Sequence, residues 1–413
     1  MSRLNKKPEL AAPAGNSEKL KTAVAYGADA VYLSGERCNL RAGAENFSLS
    51  EMNDAIKYAH DRGVKVYAAV NSYARDNEFA GLPEYLCDIA DMGANAIITA
   101  DPGIFSVVKK INKKIDIHIS TQANTVNARS VNFWRELGAK RIILARELSL
   151  DEILFIKKNV HCGTEIETFV HGAMCMAVSG RCHISNYMLS RDANRGACAH
   201  PCRYEYQIKE RSRDGEWYTI DGDKNGFELF AADDMCMVGH LPALIESGID
   251  SFKIEGRIKS AFYVGTTVKA YRSAIDDYFV DNVLYNKKIP FYRDITDMSS
   301  RKGTDFCTGF YFGNPMQNKL LINDVKRRDY LAMVLEYDAE TRTATVMQKK
   351  KFNVGDETEI FRHSGDTFTQ KINSIKNTND SEINNVPHPG QIVKIIVDQP
   401  VQPYDMICIG LLN

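Results

Sequence analysis

The chain has 413 residues, of which 44 % are hydrophobic and 25 % are charged, and its formal net charge at pH 7 is −1. This length predicts two or three domains with a large core, and this composition is ordinary for a globular protein. No apolar run approaches 18 residues and the N-terminus has no apolar signal region, so we expect a cytoplasmic protein without a membrane span. The near-zero net charge excludes a global attraction to nucleic acid, so any RNA contact would come from local basic patches.

The first 280 residues repeat a unit in which a short apolar run is followed by a segment of helical period. A glycine and a small or aliphatic residue precede many of the apolar runs, at Gly27, Gly63, Gly93, Gly138 and Gly248. Such alternation with short connections predicts βαβ units and a parallel sheet. Eight candidate strands are predicted at 8–12, 30–34, 65–70, 95–100, 116–120, 141–145, 165–170 and 251–255, and Tyr263–Tyr278 is predicted as the closing helix.

Polar residues stand at the carboxyl ends of nearly all of these candidate strands. They are Asn16, Ser34, Asn71, Asp101, Gln122, Arg146, Glu147, His171, Glu255 and Arg257. In a closed (β/α)8 barrel these ends converge on the face where catalysis takes place, so we predict an α/β protein with a TIM-like barrel. A doubly wound open sheet is the alternative, but the segment after the first strand, Pro13–Asn16, is not a Gly-rich phosphate fingerprint.

The pattern changes from α/β to β beyond about residue 300. Short strands are predicted at 332–337, 343–348, 357–362, 367–375, 392–396 and 406–411, with turns between them. We therefore predict a catalytic barrel over residues 1–300 that carries a Cys-rich insertion at about 172–236. A linker at 301–329 then leads to a small C-terminal all-β barrel domain at 330–413, whose expected role is binding. The charged stretch between Arg203 and Gly226 is predicted to be a surface hairpin or subdomain.

Four cysteines, Cys175, Cys182, Cys198 and Cys202, lie close together in the insertion, although the whole chain has only 10. In a reducing cytosol such a concentration is more typical of metal binding than of disulfide bonds. Only the last two have the short spacing of a zinc site, and irregular spacings are common among iron–sulfur ligands. The spacing therefore favours an iron–sulfur cluster, with zinc or unligated buried thiols as alternatives. Cys236 is a fifth candidate ligand, and Cys38 is a weaker one.

Other candidate site residues are the polar groups expected around this cysteine cluster. Arg41, Arg146 and Arg257 are the cations predicted to hold a carboxylate substrate, because guanidinium binds carboxylate in a bidentate manner. Asn71 and Gln122 are predicted to form walls of the same pocket. Each of these polar residues taken singly is as well explained by a structural hydrogen bond.

Three further side chains are candidates for catalysis. Lys253, Glu255 and Arg257 alternate along the last strand, so their side chains share one face. Charged side chains that face the barrel interior are costly unless they form ion pairs or have a function. Lys253 and Glu255 are therefore catalytic candidates. His171 is a candidate general base, a donor to the cluster, or a strand-end histidine. No Ser–His–Asp pattern or His-Glu-x-x-His motif appears, so hydrolysis lacks its usual apparatus.

Several ordered motifs together resemble the peptidase U32 family over residues 8–280. They are Glu9–Asn16, Gly27–Tyr32, His171–Cys182, Asn194–Arg203 and Lys253–Arg257, and the C-terminal β segment is similar to that family's C-terminal domain. The family was named for collagenase-like peptidases, whereas its better-understood members are oxygen-independent hydroxylases of RNA or of quinone precursors. Those members hold an iron–sulfur cluster on four cysteines.

The resemblance is strongest to the branch that hydroxylates tRNA. It implies conversion of the wobble uridine of a tRNA anticodon loop to 5-hydroxyuridine, with prephenate as co-substrate and a [4Fe–4S] cluster. The implied ligands are Cys175, Cys182, Cys198 and either Cys202 or Cys236, because family members differ in the fourth. A paralogous subunit or a second copy of the chain is a further expected partner. A U32-type peptidase and a non-catalytic RNA-binding protein with a structural metal are the alternatives.

Basic segments could meet the RNA phosphates. They are Lys109–Lys114, Lys326–Arg328 and Lys349–Lys351. Each is more often simply a solvated face.

Overall fold

The computed structural model describes residues 6–40, 45–111, 113–175, 177–203, 233–300, 306–313 and 328–410. Three predictions lie outside the described residues: Arg41 as a substrate ligand, the surface hairpin before Gly226, and an RNA contact by Lys326 and Arg327. Among the described helices, none combines the length and the apolar character needed to cross a bilayer.

The N-terminal sheet closes into a barrel of eight parallel strands. Its ten strands are β1 (Glu9–Pro13), β2 (Ala30–Leu33), β3 (Lys65–Ala69), β4 (Ala96–Thr99), β5 (Asp116–Ile119), β6 (Arg141–Ile143), β7 (Glu165–Gly172), β8 (Asp234–Cys236), β9 (Ser251–Ile254) and β10 (Phe306–Cys307). Strands β1 to β7 pair in chain order, and β9 pairs in parallel with both β7 and β1, which closes the barrel. All eight predicted strands are present, so the TIM-like barrel is confirmed. The short strands β8 and β10 extend the sheet outside the closed barrel, with β8 antiparallel to β7.

Helices connect the barrel strands and cover their outer faces. They are α1 (Ser17–Ala25), α2 (Leu49–His60), α3 (Leu82–Asp91), α4 (Pro102–Lys110), α5 (Ala128–Glu136), α6 (Leu150–Asn159), α7 (Ile184–Leu189), α8 (Leu241–Glu246), α9 (Ala261–Val280) and α10 (Asn282–Asp297). Short polar side chains begin most of the barrel helices by accepting a hydrogen bond from the first turn, as Asn16 does from the amide of Lys19.

The C-terminal part is an all-β half-barrel, as the sequence predicts for its class. Its strands are β11 (Arg328–Asp338), β12 (Thr343–Gln348), β13 (Phe352–Asn353), β14 (Glu357–Phe361), β15 (Phe368–Lys371), β16 (Ile375–Lys376), β17 (Glu382–Ile383), β18 (Asn385–Val386), β19 (Ile392–Ile396) and β20 (Met406–Gly410). Eight of them form one antiparallel sheet, and β13 pairs with β18 alone. Strand β12 shows the alternation of a sheet with one buried face: Ala344, Val346 and Gln348 are buried, and their neighbours are partly exposed.

The half-barrel packs against helices α1 and α9 of the barrel. Tyr26, the residue after α1, stacks on Phe361 with ring centroids 5.7 Å apart, and its hydroxyl donates to the carbonyl of Phe361 at 3.1 Å. Phe262 of α9 stacks on Tyr330 at 5.1 Å. Buried aromatic rings therefore join the two parts through a shared apolar surface.

The barrel interior holds a buried ion network where hydrocarbon side chains are usual. Glu167 of β7 is fully buried and accepts hydrogen bonds from Lys253 of β9 at 2.7 Å and from Arg141 of β6 at 2.9 Å. Arg141 also pairs with Glu9 of β1 at 2.5 Å. Burial alone raises the pKa of Glu167, but Lys253 and Arg141 outweigh it and hold that pKa below its ordinary value. The network joins the four strands at which the barrel closes.

Substituting Arg141 with methionine removes the guanidinium and leaves the Glu167 carboxylate partly uncompensated in the interior. We expect the free energy of unfolding to fall by about 3–5 kcal/mol, the usual cost of breaking a buried ion pair. The measurement is the urea midpoint of the purified variant against the parent. Lys113→Met, which breaks an exposed pair with Asp91, is the control and should leave the midpoint unchanged. Equal midpoints for both variants would show that the network does not stabilise the barrel.

Candidate active site

A cavity of about 320 Å³ lies at the carboxyl ends of the barrel strands. Strand ends form its floor, and the loop that follows β7, residues 173–203, covers it; we call this segment the cysteine loop. The predicted site residues that line the cavity are Asn71, Gln122, Arg146, Cys175, Cys182, Cys198, Cys202, Lys253, Glu255 and Arg257. The fold thus brings together residues that are up to 186 positions apart in the chain. His171, Cys236 and Cys38 are not among the lining residues.

The end of strand β6 holds the cysteine loop over the cavity. The carboxylate of Glu147 accepts hydrogen bonds from the backbone amide of Ser179 at 2.5 Å and from its hydroxyl at 2.6 Å. The Ser179 hydroxyl also accepts from the amide of Arg146 at 3.2 Å. The guanidinium of Arg181 donates to the carbonyl of Gln122 at 2.9 Å and packs over the ring of Tyr73. The loop is therefore fixed to two different strand ends.

Within the loop, hydrogen bonds fix the positions of the cysteines relative to one another. Asn194 bonds both the amide and the carbonyl of Cys182, at 3.2 and 3.0 Å. The hydroxyl of Ser185, on α7, accepts from the amide of Ala199, the residue next to Cys198. These bonds connect the part of the loop that carries Cys182 with the part that carries Cys198.

The thiols around the cavity form a donor set that suits an iron–sulfur cluster. Cys175, Cys182, Cys198 and Cys202 face one cavity, and iron–sulfur clusters in proteins are held by four thiolates. The sulfur of Cys198 accepts a backbone hydrogen bond from His200 at 3.4 Å, the kind of contact that tunes such clusters. Across the described part of the chain, no three His, Cys, Asp or Glu side chains converge closely enough to hold a single metal ion.

Two arginines supply positive charge to the cavity. Burial by itself lowers the pKa of Arg146, but Cys175, Glu255 and Glu147 outweigh it and hold that pKa above its ordinary value. Its guanidinium donates to the carbonyl of Ala173 at 2.9 Å. Arg146 therefore remains charged beside the ligand space.

The second arginine, Arg257, is positioned by residues that follow the first two strands. Its guanidinium donates to the hydroxyl of Ser34 and, at 2.8 Å, to the side-chain oxygen of Asn46. A Cβ atom at Gly15 would lie 2.2 Å from the Arg257 carbonyl oxygen. Only glycine fits there, because any side chain would displace the backbone that carries Arg257.

Two amide side chains present oxygens to the cavity. The side-chain oxygens of Asn71 and Gln122 are buried and have no hydrogen-bond partner among the described residues. Gln122 is only 7 % exposed. Because a buried polar atom without a partner is costly, these two oxygens fit a ligand that offers hydrogen-bond donors.

Lys253 and Glu255 both line the cavity, as the alternation along the last strand predicts. Lys253 is buried, paired with Glu167, and its ammonium lies 4.1 Å from the centre of the Tyr32 ring. The cost of its burial is therefore offset by an ion pair within the barrel.

His171 lies behind the cavity wall. Its ring packs among Tyr263, Tyr271 and Phe306, with centroids 5.3–5.7 Å away. Burial lowers the pKa of His171 to about 3, despite the nearby Asp234, which by itself raises it. The imidazole is thus neutral at physiological pH, and this placement favours the strand-end alternative over a general base.

Cys236 lies next to His171, outside the cavity; we call the layer formed by β8, β10 and the facing side of α9 the outer layer. Cys236 is paired with His171 in the sheet register and contacts the Tyr271 hydroxyl at 3.9 Å. Burial raises the pKa of the Cys236 thiol. Cys38 also lies outside the cavity lining, so Cys202 is the fourth cysteine that faces the cavity with the other three.

The sequence patterns singled out neither Ser179 nor Arg181, and they gave Glu147 no role beyond its position at a strand end. The Glu147–Ser179 contact bridges 32 residues, and although Ser179 lies in the motif His171–Cys182, nothing in that motif points to Glu147. Glu167, the partner of Lys253, was also missed, although its alternation with Glu165 along β7 was a usable signal of an inward charge.

A closed parallel barrel with a polar cavity at the carboxyl ends of its strands defines the class of protein: a TIM-barrel enzyme scaffold. Two family models then match the chain. "Peptidase family U32" matches residues 15–320, and "Peptidase family U32 C-terminal domain" matches residues 326–407. The chain belongs to the peptidase U32 family.

Relatives of the chain carry names of different activities. "tRNA hydroxylation protein P1" of Bacillus subtilis is 38 % identical over 408 residues, which cover 98 % of this chain and 95 % of that protein. A 23S rRNA 5-hydroxycytidine synthase of Escherichia coli is 35 % identical over 270 residues, 65 % of this chain and 39 % of that protein. A protein of Porphyromonas gingivalis named "Collagenase" is 28 % identical over 415 residues, 97 % of each chain.

Replacing His171 with phenylalanine tests its role. A histidine whose pKa is lowered on folding contributes stability that is lost as the pH falls below about 6.5, because the unfolded chain then binds the proton more readily. Between pH 7.5 and 5.5 the free energy of unfolding of the parent should fall by about 1.4 kcal/mol because of His171, and that of the variant should lack this decrease. The measurement is the urea midpoint at both pH values. Loss of activity in a variant that folds normally would instead restore the general-base hypothesis.

Proposed function

We propose that this protein hydroxylates the wobble uridine of tRNA to 5-hydroxyuridine, without oxygen, using prephenate as co-substrate and an iron–sulfur cluster. The observation that carries the proposal is the cavity in which four cysteines of one loop face the arginines and amides of the barrel strand ends. The name of the full-length relative, a tRNA hydroxylation protein, supports the same activity. The rRNA 5-hydroxycytidine synthase indicates that related chains hydroxylate pyrimidines.

The cysteine loop is the element proposed to hold the cluster, through Cys175, Cys182, Cys198 and Cys202. When bound, a cluster supplies redox-active iron at the cavity wall. The chain's own contribution is to position it: Glu147 and Arg181 fasten the loop, and Asn194 orients the backbone of Cys182. Arg146, beside Cys175, adds positive charge next to a thiolate.

The co-substrate fits the charge of the cavity. Prephenate is a dicarboxylate, and Arg146 and Arg257 are the guanidinium groups that line the cavity. The aromatic rings of Tyr32 and Phe169 give the ligand an apolar wall. The unpaired oxygens of Asn71 and Gln122 can accept hydrogen bonds from a ligand hydroxyl or from the N–H of a uracil.

The RNA base must enter this cavity from outside the barrel. The proposed reaction takes place at C5 of the uracil, so the base has to leave its stack and present that edge to the cavity. Wobble bases in an anticodon loop are single-stranded, which lowers the cost of that movement. Such an RNA loop would have to approach the carboxyl-terminal face of the barrel, where the cavity lies.

The alternative activities make different predictions for one experiment. Nucleosides of tRNA from a deletion strain, with and without the plasmid-borne gene, are analysed by mass spectrometry. We expect 5-hydroxyuridine to disappear in the deletion strain and to return with the gene. Unaltered nucleosides together with cleavage of denatured collagen by the pure protein would favour a peptidase, as the name of one relative suggests. Binding of tRNA without prephenate binding in calorimetry would favour a non-catalytic RNA-binding protein.

The identity of the fourth ligand can be tested by metal content. After anaerobic purification, Cys202→Ser should lose most of its iron and acid-labile sulfide, because Cys202 faces the cavity. Cys236→Ser is the matched control and should keep its cluster, because Cys236 lies in the outer layer with Tyr271. The reverse pattern would assign the fourth position to Cys236 and contradict the proposed ligand set.

Arg146→Lys tests the carboxylate site while the positive charge is kept. Loss of the planar fork should reduce 5-hydroxyuridine formation and prephenate affinity by roughly 10- to 100-fold, the effect of losing a hydrogen bond to a charged group. The measurements are nucleoside mass spectrometry and titration calorimetry with prephenate. Arg129→Lys, an exposed position on α5, should behave as the parent. Normal prephenate binding by Arg146→Lys would remove Arg146 from the substrate site.

A further inference from the structure

The rim of the cavity exposes a group of large apolar side chains. Tyr187 is 94 % exposed, and Met188 and Leu189 follow it on α7 with about half of their surface in solvent. Val178, between two lining residues of the cysteine loop, and Ile258, a lining residue after β9, are exposed to a similar extent. We call these five residues the mouth platform. Exposed apolar side chains grouped beside a cavity are a mark of an interaction site.

The platform is presented by an ordered element. Ile184, one turn before Tyr187 and Met188 on α7, lines the cavity, so this side of the helix faces the rim. Ser185, on another side of the same helix, is fully buried and accepts a hydrogen bond from the amide of Ala199 at 2.9 Å. The backbone amide of Tyr187 donates to the carbonyl of His183 at 2.8 Å. Tyr187 is therefore held in a helix with its side chain in solvent.

Arginines outnumber carboxylates in the cysteine loop. It contains four arginines, at 181, 191, 195 and 203, and one carboxylate, Asp192, in a chain whose formal net charge is −1. Arg195 pairs with Glu78 at 3.0 Å, so its charge is partly neutralised. The carboxylate of Asp192 is engaged in accepting the amide of Asn194 at 2.9 Å. Arg181 and Arg191 are exposed, on either side of α7 in the chain. Apolar and aromatic side chains among arginines suit a polyanion with stackable bases better than a lipid or an acidic peptide.

The lysine-rich segments predicted to meet RNA are less suited to this role. Lys349 pairs with Glu18 at 2.7 Å, Lys350 with Asp329 at 2.5 Å and Lys113 with Asp91 at 2.6 Å. Carboxylates thus neutralise part of the charge of the segments Lys109–Lys114 and Lys349–Lys351. None of these lysines lines the cavity that the target base must reach.

We propose that the mouth platform binds the single-stranded nucleotides next to the target base in the substrate RNA, with Tyr187 stacking on one of those bases. The inference rests on the proposed function and adds the surface by which the RNA is held. A base that leaves its stack exposes the faces of its neighbours, and an aromatic ring at the rim replaces the lost stacking. Arg181 and Arg191 are the cations placed to meet the adjacent phosphates.

The test compares variants at two exposed aromatic positions by fluorescence anisotropy. The probe is an RNA hairpin with the sequence of an anticodon arm that has uridine at the wobble position, titrated with purified protein without prephenate. Tyr187→Ala should weaken binding roughly 5- to 100-fold, whereas Tyr187→Phe, which keeps the ring, should bind as the parent does. Phe155→Ala, on α6 and 65 % exposed, is the matched control and should have no effect.

Salt dependence separates stacking from charge. Tyr187→Ala should leave the slope of log affinity against log salt unchanged, and Arg191→Gln should reduce it by about 0.7 for one phosphate contact to a single strand. Iron content and the urea midpoint check that each variant is folded.

The outcomes distinguish this inference from the function on which it rests. If the parent protein restores 5-hydroxyuridine in the deletion strain but Tyr187→Ala binds the hairpin as tightly as the parent, the platform inference is wrong and the function stands. A changed oligomeric state of Tyr187→Ala with unchanged RNA binding would also overturn it, since the platform would then be an interface between copies. If the parent neither binds the hairpin nor restores the nucleoside, both proposals fall.

Discussion

The ion network inside the barrel is the constraint on which the rest of the structure depends. Glu167 is fully buried, and its charge is tolerable there only because Lys253 and Arg141 donate to it from neighbouring strands. Arg141 continues the network to Glu9 on the first strand. These residues belong to the strands that meet where the barrel closes, so electrostatic pairing adds to the hydrogen bonds at that seam. Lys253 also lines the cavity, which places the site directly above the network.

The site is assembled by two elements of different character. The strand ends supply Arg146, Arg257 and Gln122 from a rigid scaffold, which gives them fixed positions. The cysteine loop has little regular structure and depends on side-chain contacts such as Glu147 with Ser179. Because the same loop carries the thiols and four of the five residues of the mouth platform, the proposed cluster and most of the proposed RNA surface share one support. A change in the loop would therefore affect both.

The outer layer behind β7 explains why two polar candidates stand apart from the site. Strand β8 pairs with the end of β7 and sets Cys236 opposite His171 in the sheet register. Aromatic rings from α9 and from β10 then pack around His171, and the Tyr271 hydroxyl of α9 contacts Cys236. A histidine and a thiol in such surroundings remain neutral, because burial disfavours the charged form of each. Adjacency to the cysteine motif in sequence did not bring His171 into the cavity.

The sequence by itself determined the eight barrel strands, their alternation with helical segments and the all-β class of the C-terminal part, because hydrophobic periodicity and glycine positions reflect local burial and turn geometry. It also determined that the strand-end residues Asn71, Gln122 and Arg146 face one cavity, since closure of a parallel barrel makes those ends converge. Helix α10 has no counterpart among the predicted elements, and Pro290 interrupts its pattern. Only the tertiary structure decided that Cys202 faces the cavity while Cys236 does not, and that Lys253 is paired with Glu167. Those choices depend on β8, an antiparallel addition to the sheet, and on contacts between residues 86 positions apart, which no local pattern encodes.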